Sequence, residues 1–285
     1  MEVRSVEKGV VLITPPLAGT ANMEIDEVLL ANADPDSPVI LRIYQWSEPT
    51  LSLGHFQSID ERNESPELAS VAYVRRKTGG GAILHDHELT YSLIVPSRSA
   101  SRKGHSDKLY RSVHLAIADG VNSLGWNAIL SETCTCSAMS NQKHEPFLCF
   151  LRRSPVDLIV GEHKIVGSAQ RRTKNGLLQH GSLLIRSSQV TPSLLGLLDI
   201  PNSNQSDSFE ASSFESFHKT HNESDFWTRA FLSWLKLGVS RVMHCDWKES
   251  TVADFPAIEG LVVGENTQGL FYSRINRLHT CANRS

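Results

Sequence analysis

A cysteine and a lysine fifteen positions apart (164 − 149), Cys149 and Lys164, have the clearest potential for chemistry in this chain. The lysine stands beside the turn of a predicted hairpin, "PVDLIVGEHKIVGSAQ", which folds the chain back and brings the return arm towards an upstream cysteine. A free cysteine thiol has a pKa of about 8.5 and is only about 3% thiolate at pH 7, and a nearby ammonium increases that fraction. The spacing indicates a nucleophilic thiol. The neighbouring Phe147 and Phe150 fit an alternative, a buried structural cysteine.

The stretch "KTGGGA" at 77–82 is a second candidate for chemistry. Three successive glycines remove every Cβ and leave backbone N–H groups able to bind an oxygen atom. A P-loop has its glycines before Gly-Lys-Ser/Thr, and a dinucleotide fold has G-x-G-x-x-G, so neither common nucleotide motif is present. Arg75, Arg76 and Lys77 directly precede the glycines and favour an anion-binding wall. A tight turn between two strands is the alternative.

Two groups of metal-binding residue types have unsuitable spacing. "HDHELTY" at 85–91 lacks the second histidine of a zinc-protease helix, because Tyr91 occupies that position. The second group, spaced C-x-C-x7-H-x4-C, consists of Cys134, Cys136, His144 and Cys149. That spacing is not a standard zinc pattern, so we predict no metal. The odd count of five cysteines argues against a disulfide framework, and reduced thiols are expected.

Composition sets limits on the kind of protein. The 285 residues are 40% hydrophobic and 21% charged with a net charge of −3, which is ordinary for a globular protein and too mild for general nucleic-acid or membrane binding. The N-terminal stretch has acidic residues and only a short apolar run, unlike a signal peptide, and no run is long enough to span a membrane. A cytoplasmic location is expected.

The elements that must position these residues mix helices and strands without regular βα alternation. Helical spacing occurs at 22–33, at 106–125 with Ser106 as the predicted N-cap, and at 225–238. Strands are predicted at 39–46 and 69–76, around the glycines, and in both arms of the hairpin. The pattern predicts an α+β fold with a mostly antiparallel or mixed sheet. Residues 201–225 are predicted to form a long surface loop.

Several of these motifs together resemble the lipoate-protein ligase A and octanoyltransferase family. "RRKTGGGAILHDHELTYSLIVP" and "GEHKIVGSAQRRTKNGLLQHGSLLI" match its basic-basic-x-Ser/Thr-Gly-Gly-Gly-Ala loop, its Lys-Ile/Val-x-Gly-Ser-Ala strand and its Gln-His-Gly-Ser strand. Weaker matches are "NMEIDEVLL" and "RIYQWSEPTLSLGHFQ". The resemblance covers residues 22–185. It implies a biotin/lipoate ligase-type α+β core, a mostly antiparallel or mixed β-sheet flanked by helices, as a single catalytic domain over 1–285. The tail at 240–285 is given no role.

The resemblance also implies an activity. One group of ligase-like transferases carries a catalytic Cys-Phe just upstream of the lysine strand, as in "LCFLRRSPVDLIVGEHKIVGSAQ". An octanoyltransferase would form an acyl-enzyme on Cys149 from octanoyl-acyl carrier protein, without a cofactor. Lys164 would polarise the carbonyl during transfer to the lysine of a lipoyl-carrier domain, such as glycine cleavage H protein or 2-oxoacid dehydrogenase E2. The substrate-binding residues implied are Arg75, Arg76, Thr78, Gly79, Gly80, Gly81, Ala82, His85, Gly167, Ser168, Ala169, Gln170, His180 and Gly181.

Other activities fit the same motifs. An ATP-dependent lipoate-protein ligase would use ATP and Mg through a lipoyl-AMP intermediate, with the arginines and the glycine loop holding AMP. A carrier-to-carrier octanoyl amidotransferase would use the same Cys149, and a non-catalytic protein would only bind acylated carriers. Arg152 and Arg153 depart from the family pattern and leave the acceptor open. A locally basic surface suits acidic carrier proteins, and its residues are Arg75, Arg76, Arg171, Arg172 and Lys174.

Overall fold

Two β-sheets flanked by helices make up the part of the chain that the computed structural model describes, residues 6–101, 104–134, 146–202 and 223–263. The strands are β1 (Glu7–Ile13), β2 (Val39–Tyr44), β3 (Thr50–Leu53), β4 (Ala72–Arg75), β5 (Ile83–His85), β6 (Glu88–Pro96), β7 (Ala128–Leu130), β8 (Leu158–Val160), β9 (His163–Arg172), β10 (Gly176–Leu184) and β11 (Cys245–Ser250). The α-helices are α1 (Gly19–Ala31), α2 (Ser97–Ala100), α3 (His105–Ser123), α4 (Glu223–Met243) and α5 (Pro256–Val263).

The larger sheet has eight strands in the order β11-β1-β2-β6-β10-β9-β8-β7. Strand β1 pairs in parallel with both β2 and β11, and the remaining pairs are antiparallel. The smaller sheet has the order β4-β3-β5, with β3 parallel to β4 and antiparallel to β5. The mixed sheets confirm the predicted α+β class.

Helices cover both faces of the large sheet, which explains why β6 and β10 are buried along their whole length. Alternate side chains of β2 point to opposite faces, as the pleat requires. Leu41 belongs to the cluster formed with α3 and α4, whereas Ile40 belongs to the cluster formed with α1 and α5. Phe231 of α4 is completely buried, and a burial of this kind stabilises the fold by about 3 kcal/mol.

The predicted hairpin is present, with β8 and β9 antiparallel and joined by two residues. Gly161 opens the turn with φ +58°, a conformation that other residues adopt rarely. The register shifts between Leu158 and Ile159, so that Ile159 faces Lys164 and Leu158 faces Val166. This shift determines which residue of β8 lies opposite Lys164.

One prediction about the elements needs correction, and two segments had no structural prediction or lie partly outside the described residues. Helix α3 begins at His105 after Gly104 with no side-chain cap, so Ser106 is not the N-cap. No structure was predicted for the tail at 240–285, and its described part, up to residue 263, contains the end of α4, β11 and α5. Most of the predicted surface loop, 203–222, lies outside the described residues. No helix within the described ranges is both long and apolar enough to cross a membrane.

Candidate active site

Cys149 and Lys164 meet, as the hairpin predicted. The ammonium Nζ of Lys164 lies 3.6 Å from the Cys149 sulfur and 3.2 Å from the Cys149 carbonyl oxygen. Lys164 projects from the second residue of β9, and Cys149 opens a short 3-10 turn, Cys149–Leu151. The ammonium can donate a hydrogen bond to the sulfur, so this contact suits a nucleophilic cysteine.

A carboxylate that the sequence did not point to completes the arrangement. The Asp157 Oδ2 atom accepts from Lys164 Nζ at 2.7 Å, and the two side chains are only 2% and 3% exposed. The Ser154 backbone N–H donates to the same carboxylate at 2.7 Å. The three N–H groups of the ammonium thus have three acceptors. A polar residue inside the apolar run "VDLIV", next to a predicted hairpin strand, was the available signal for Asp157.

Gly167 leaves the space that Lys164 occupies. A Cβ built at this position would lie 2.7 Å from the Lys164 Cε and 3.0 Å from Nζ. The Lys-x-x-Gly spacing on β9 is therefore a packing requirement of the lysine. Gly167 also lines the cavity beside Cys149.

The two arginines that precede the glycine loop both donate to backbone carbonyl oxygens, and Arg76 binds those of the loop itself. Arg76 donates to the carbonyl oxygens of Ser52 at 2.7 Å, Gly79 at 2.8 Å and Gly81 at 2.7 Å. Arg75 donates to the carbonyl oxygens of a neighbouring turn at 54–57 over 2.6 to 3.2 Å. Both guanidinium groups thus brace the backbone, a function that the basic pattern did not predict.

The loop of the cysteine is tied to the glycine loop through backbone hydrogen bonds. The Cys149 N–H donates to the Ala82 carbonyl at 2.6 Å, and the Ala82 N–H donates to the Phe147 carbonyl at 3.0 Å. Gln57 Nε2 adds a bond to the same Phe147 carbonyl at 3.0 Å. The Ala82 N–H is therefore already hydrogen-bonded to the cysteine loop, and this pair of bonds fixes the backbone that carries the sulfur.

A cavity of about 440 Å³, including the open space at its mouth, lies against Cys149. The expected site residues that line it are Arg76, Gly79, Gly80, His85, Cys149, Gly167, Ser168, Ala169, His180 and Gly181. The expected site residues outside the lining are Arg75, Thr78, Gly81, Ala82, Lys164 and Gln170. The lining residues that the sequence did not indicate are Met23, Tyr44, Trp46, Ser52, Ile83, Thr90 and Ser182.

The sheet register gives the direction of the cavity. Gly167, Ser182, Thr90 and Tyr44 are successive partners across β9, β10, β6 and β2. Four neighbouring strands span about 14 Å, so the floor runs this distance from the Lys164 strand to the β2 side. At that far side Trp46 stacks on the His85 ring with centroids 3.9 Å apart, and its Nε1 donates to Thr90. The floor residues share one face only because of the strand order, which the local sequence does not reveal.

A buried polar chain connects the glycine loop to α1. Thr78 Oγ1 lies 2.5 Å from His180 Nε2, and His180 Nδ1 lies 3.8 Å from Asp26, which pairs with Arg42 at 2.8 Å. Burial is the largest influence and lowers the pKa of His180. For Asp26, burial raises the pKa, but Arg42 and hydrogen bonds outweigh it, and the net shift is downward. Thr78 thus anchors the loop from behind the cavity wall.

A second buried group supports β9 from the α3 side. His114 Nε2 lies 2.7 Å from the Ser168 hydroxyl, and burial lowers the His114 pKa to about 4. The Tyr110 hydroxyl donates to the Ser168 carbonyl at 2.6 Å. His114 is therefore neutral at pH 7 and holds the strand through Ser168.

The other two described cysteines, Cys134 and Cys245, do not line the cavity. Cys245 is a free thiol on β11, and burial, followed by Glu7, raises its pKa to about 12. Cys134 forms a disulfide, so the expectation of reduced thiols is wrong at this position. Cys136, His144 and Cys281 lie outside the described residues. Within the described ranges, no three His, Cys, Asp or Glu side chains are grouped to hold a metal ion.

Residues 18–218 match the family model described as Lipoyl protein ligase A/B catalytic domain. Octanoyltransferase LipM of Anoxybacillus flavithermus is 35% identical over 185 residues, 64% of this chain and 66% of that protein. Octanoyltransferase LipM of Bacillus subtilis is 36% identical over 168 residues, 58% of this chain and 60% of that protein. The alignments thus span slightly less than two thirds of these relatives.

Solved structures show the same fold. A bi-partite lipoate protein ligase from Thermoplasma acidophilum has a TM-score of 0.56 and 21% identity, over 90% of this chain and 91% of that chain. A lipoate-protein ligase A bound with ATP has a TM-score of 0.57 and 21% identity, over 90% of this chain and 93% of that chain. These likenesses confirm the expected ligase-type α+β fold.

Proposed function

The chain belongs to the lipoyl protein ligase A/B catalytic domain family, and from this premise we propose that it is an octanoyltransferase of protein lipoylation. It takes octanoyl from the thioester of acyl carrier protein and transfers it to the lysine of a lipoyl-carrier domain. The observation that carries this proposal is the Cys149 sulfur, which lines the cavity and lies 3.6 Å from Lys164 Nζ. Relatives named Octanoyltransferase LipM support the choice of acyl group.

In the first step the Cys149 thiolate attacks the thioester carbonyl carbon of the donor. The carbonyl becomes a tetrahedral oxyanion, collapses, and releases the carrier thiol, which leaves as a thiolate and takes a proton from solvent. The acyl group is then a thioester on Cys149. One thioester bond breaks and another forms, so the exchange requires no external energy source.

In the second step the neutral amine of the acceptor lysine attacks the acyl-enzyme carbonyl. An amide bond forms, the Cys149 sulfur leaves as a thiolate beside the Lys164 ammonium, and this thiolate takes up the proton that the attacking amine loses. An amide is more stable than a thioester, so the step is downhill without ATP. Acyl carrier protein is the proposed donor, and glycine cleavage H protein or 2-oxoacid dehydrogenase E2 is the proposed acceptor.

The cavity geometry supports a linear acyl chain as the bound group. Its floor extends across four strands from the Lys164 strand and has small lining residues on β9 and β10, Gly167, Ala169 and Gly181. Large side chains, Met23 and Trp46, line the opposite side. A carbonyl at Cys149 would place its alkyl chain along this floor.

The test is the intact mass of the protein after mixing with octanoyl-acyl carrier protein in the absence of ATP. We expect the mass of one octanoyl group to be added, and the adduct to be absent in Cys149→Ser. Cys245→Ser is the matched control, because Cys245 is the other free thiol among the described residues and should leave the adduct intact. Acyl-adenylate formation from ATP, Mg and lipoate, with no adduct otherwise, would show an ATP-dependent ligase instead. An adduct whose acyl group is taken only from a carrier-bound amide would show an amidotransferase.

A further inference from the structure

Two buried cations lie near Cys149, and only one of them has a carboxylate partner. Lys164 pairs with Asp157 at 2.7 Å. Arg76 is only 3% exposed, and all its hydrogen bonds go to neutral backbone carbonyl oxygens or to the Ser52 hydroxyl. Within the described ranges, no Asp or Glu oxygen lies within 4.0 Å of its nitrogens. The positive charge of Arg76 is therefore not neutralised by an ion pair.

Arg76 and Cys149 are bonded to neighbouring carbonyl groups of the glycine loop. Arg76 and Cys149 line the same cavity. The guanidinium binds the Gly81 carbonyl, and the next carbonyl along the chain, that of Ala82, accepts from the Cys149 N–H. Arg76 Nε is buried and has no hydrogen-bond partner. Leaving such a donor unsatisfied costs about 1–3 kcal/mol.

The charge balance at Arg76 involves the cysteine. Burial, the largest influence, lowers the pKa of Arg76 to about 10. Negative charge at Cys149 raises that pKa, and the neighbouring Arg152 lowers it. A charge–charge interaction is mutual, so the positive charge of Arg76 in turn favours a negative charge on the sulfur or on an oxygen beside it.

We propose that the positive charge of Arg76 stabilises negative charge at Cys149, first on the thiolate and then on the oxyanion of the tetrahedral intermediate. Lys164 has a different task. Since Asp157 offsets its charge, Lys164 mainly orients the sulfur and the carbonyl by hydrogen bonding. The oxyanion part rests on the proposed acyl transfer, whereas the thiolate part does not.

Two further ionisable groups line the cavity with Cys149, and each faces a carboxylate: His85 lies against Glu88, and His180 lies 3.8 Å from Asp26. Burial raises the Tyr110 pKa far above its usual value and keeps the hydroxyl neutral, and His114 is neutral at pH 7. Lys164 and Asp157 together carry no net charge. Arg152 is partly exposed, donates to the Pro146 carbonyl at 2.5 Å, and is more screened by solvent than Arg76.

The test is the rate at which iodoacetamide alkylates Cys149 as a function of pH, which requires no acyl donor. In Arg76→Gln, which can still donate to the loop carbonyls, we expect the midpoint of the pH profile to move up by about one to two units. Arg76→Lys should keep it within about half a unit of the wild type, since the charge is retained. Arg75→Gln is the matched control for loop bracing, because Arg75 also binds backbone carbonyls but is exposed; its midpoint should not move.

An unchanged midpoint in folded Arg76→Gln would overturn the proposal, as would an equal shift in Arg75→Gln. If Arg76→Gln does not fold, the double variant Lys164→Gln/Asp157→Asn decides, because it removes both charges of the ion pair. The proposal expects its midpoint to move by less than about half a unit, and a shift of a full unit would overturn it. A protein with the expected alkylation profile but no octanoyl adduct would count against the proposed function only.

Discussion

Replacing Gly167 by alanine should disable the site while leaving the protein folded. The new Cβ would lie 2.7 Å from Lys164 Cε, whereas ordinary contact begins at 3.4 Å, so Cε must move by at least 0.7 Å (3.4 − 2.7). Nζ, at 3.0 Å from the same Cβ, must move as well. The ammonium then cannot keep both its 2.7 Å bond to Asp157 and its 3.6 Å contact with the sulfur.

A displacement of about 1 Å in a catalytic group lowers rates by about 100-fold, or about 2.7 kcal/mol in activation free energy. The clash falls on the end of a flexible side chain, and alanine stiffens the unfolded chain by about 0.4–1 kcal/mol. The free energy of unfolding of Gly167→Ala should therefore stay within about 1 kcal/mol of the wild type.

The assay for Gly167→Ala is the single-turnover rate of acyl-enzyme formation, followed by intact mass, with urea unfolding of the same sample. Gly260→Ala is the control, since a Cβ there meets no atom within 4 Å and its rate should be unchanged. A wild-type rate in folded Gly167→Ala would refute the argument that Lys164 must occupy this position.

Three further outcomes follow from the buried contacts. Asp157→Asn should lower the free energy of unfolding by about 3–5 kcal/mol, because it leaves the Lys164 ammonium buried without its ion pair. Adding Lys164→Met to this variant should recover part of that loss in urea melts. A double variant whose loss of stability equals the sum of the losses of the two single variants would contradict this prediction. The pKa of His114 falls from 6.5 unfolded to about 4 folded, so the unfolded state binds more protons between these pH values and stability is lost as pH falls, by about 3 kcal/mol in total ((6.5 − 4) × 1.36). His114→Gln should flatten the curve of stability against pH by this amount, and parallel curves would exclude the assignment. Met23→Ala should lengthen the far side of the cavity, so the kcat/KM for a decanoyl donor relative to that for an octanoyl donor should rise about tenfold or more. An unchanged ratio would show that the end of the acyl chain does not lie against Met23.

The local sequence was sufficient where one hairpin decided the geometry. Two β-rich arms around Gly161 predicted that the chain folds back, and the contact between Cys149 and Lys164 follows from that turn. The partner of the lysine was not predicted, because Asp157 lies just before β8, next to a register shift between Leu158 and Ile159 that the residue pattern does not reveal. A one-residue change in register would turn the side chains of the strand to the opposite face, and the residue pattern does not fix that choice.

Long-range pairing accounts for the other differences. Strands β1 and β11 are about 240 residues apart in sequence, and neither carries a turn signal that identifies its parallel partner. Tyr44, Thr90 and Ser182 share the cavity floor because β2, β6 and β10 are neighbours in the sheet. The sequence did locate positive charge at Arg75 and Arg76, but it did not show that their N–H groups bind backbone carbonyls. Charge is a property of the residue type, whereas the choice of hydrogen-bond acceptor depends on the folded chain.

These contacts make the site rigid before any substrate arrives. Strand β9 carries Lys164 and Gly167, and β10 holds the glycine loop through the bond between His180 and Thr78. Arg171 of β9 adds a 2.6 Å bond to the Lys77 carbonyl at the start of that loop. Since the loop in turn fixes Cys149 through Ala82, sulfur and ammonium are both positioned by one pair of buried strands. Donors and charges fixed in this way require little reorganisation as negative charge develops, which is the main way a folded site lowers an activation barrier.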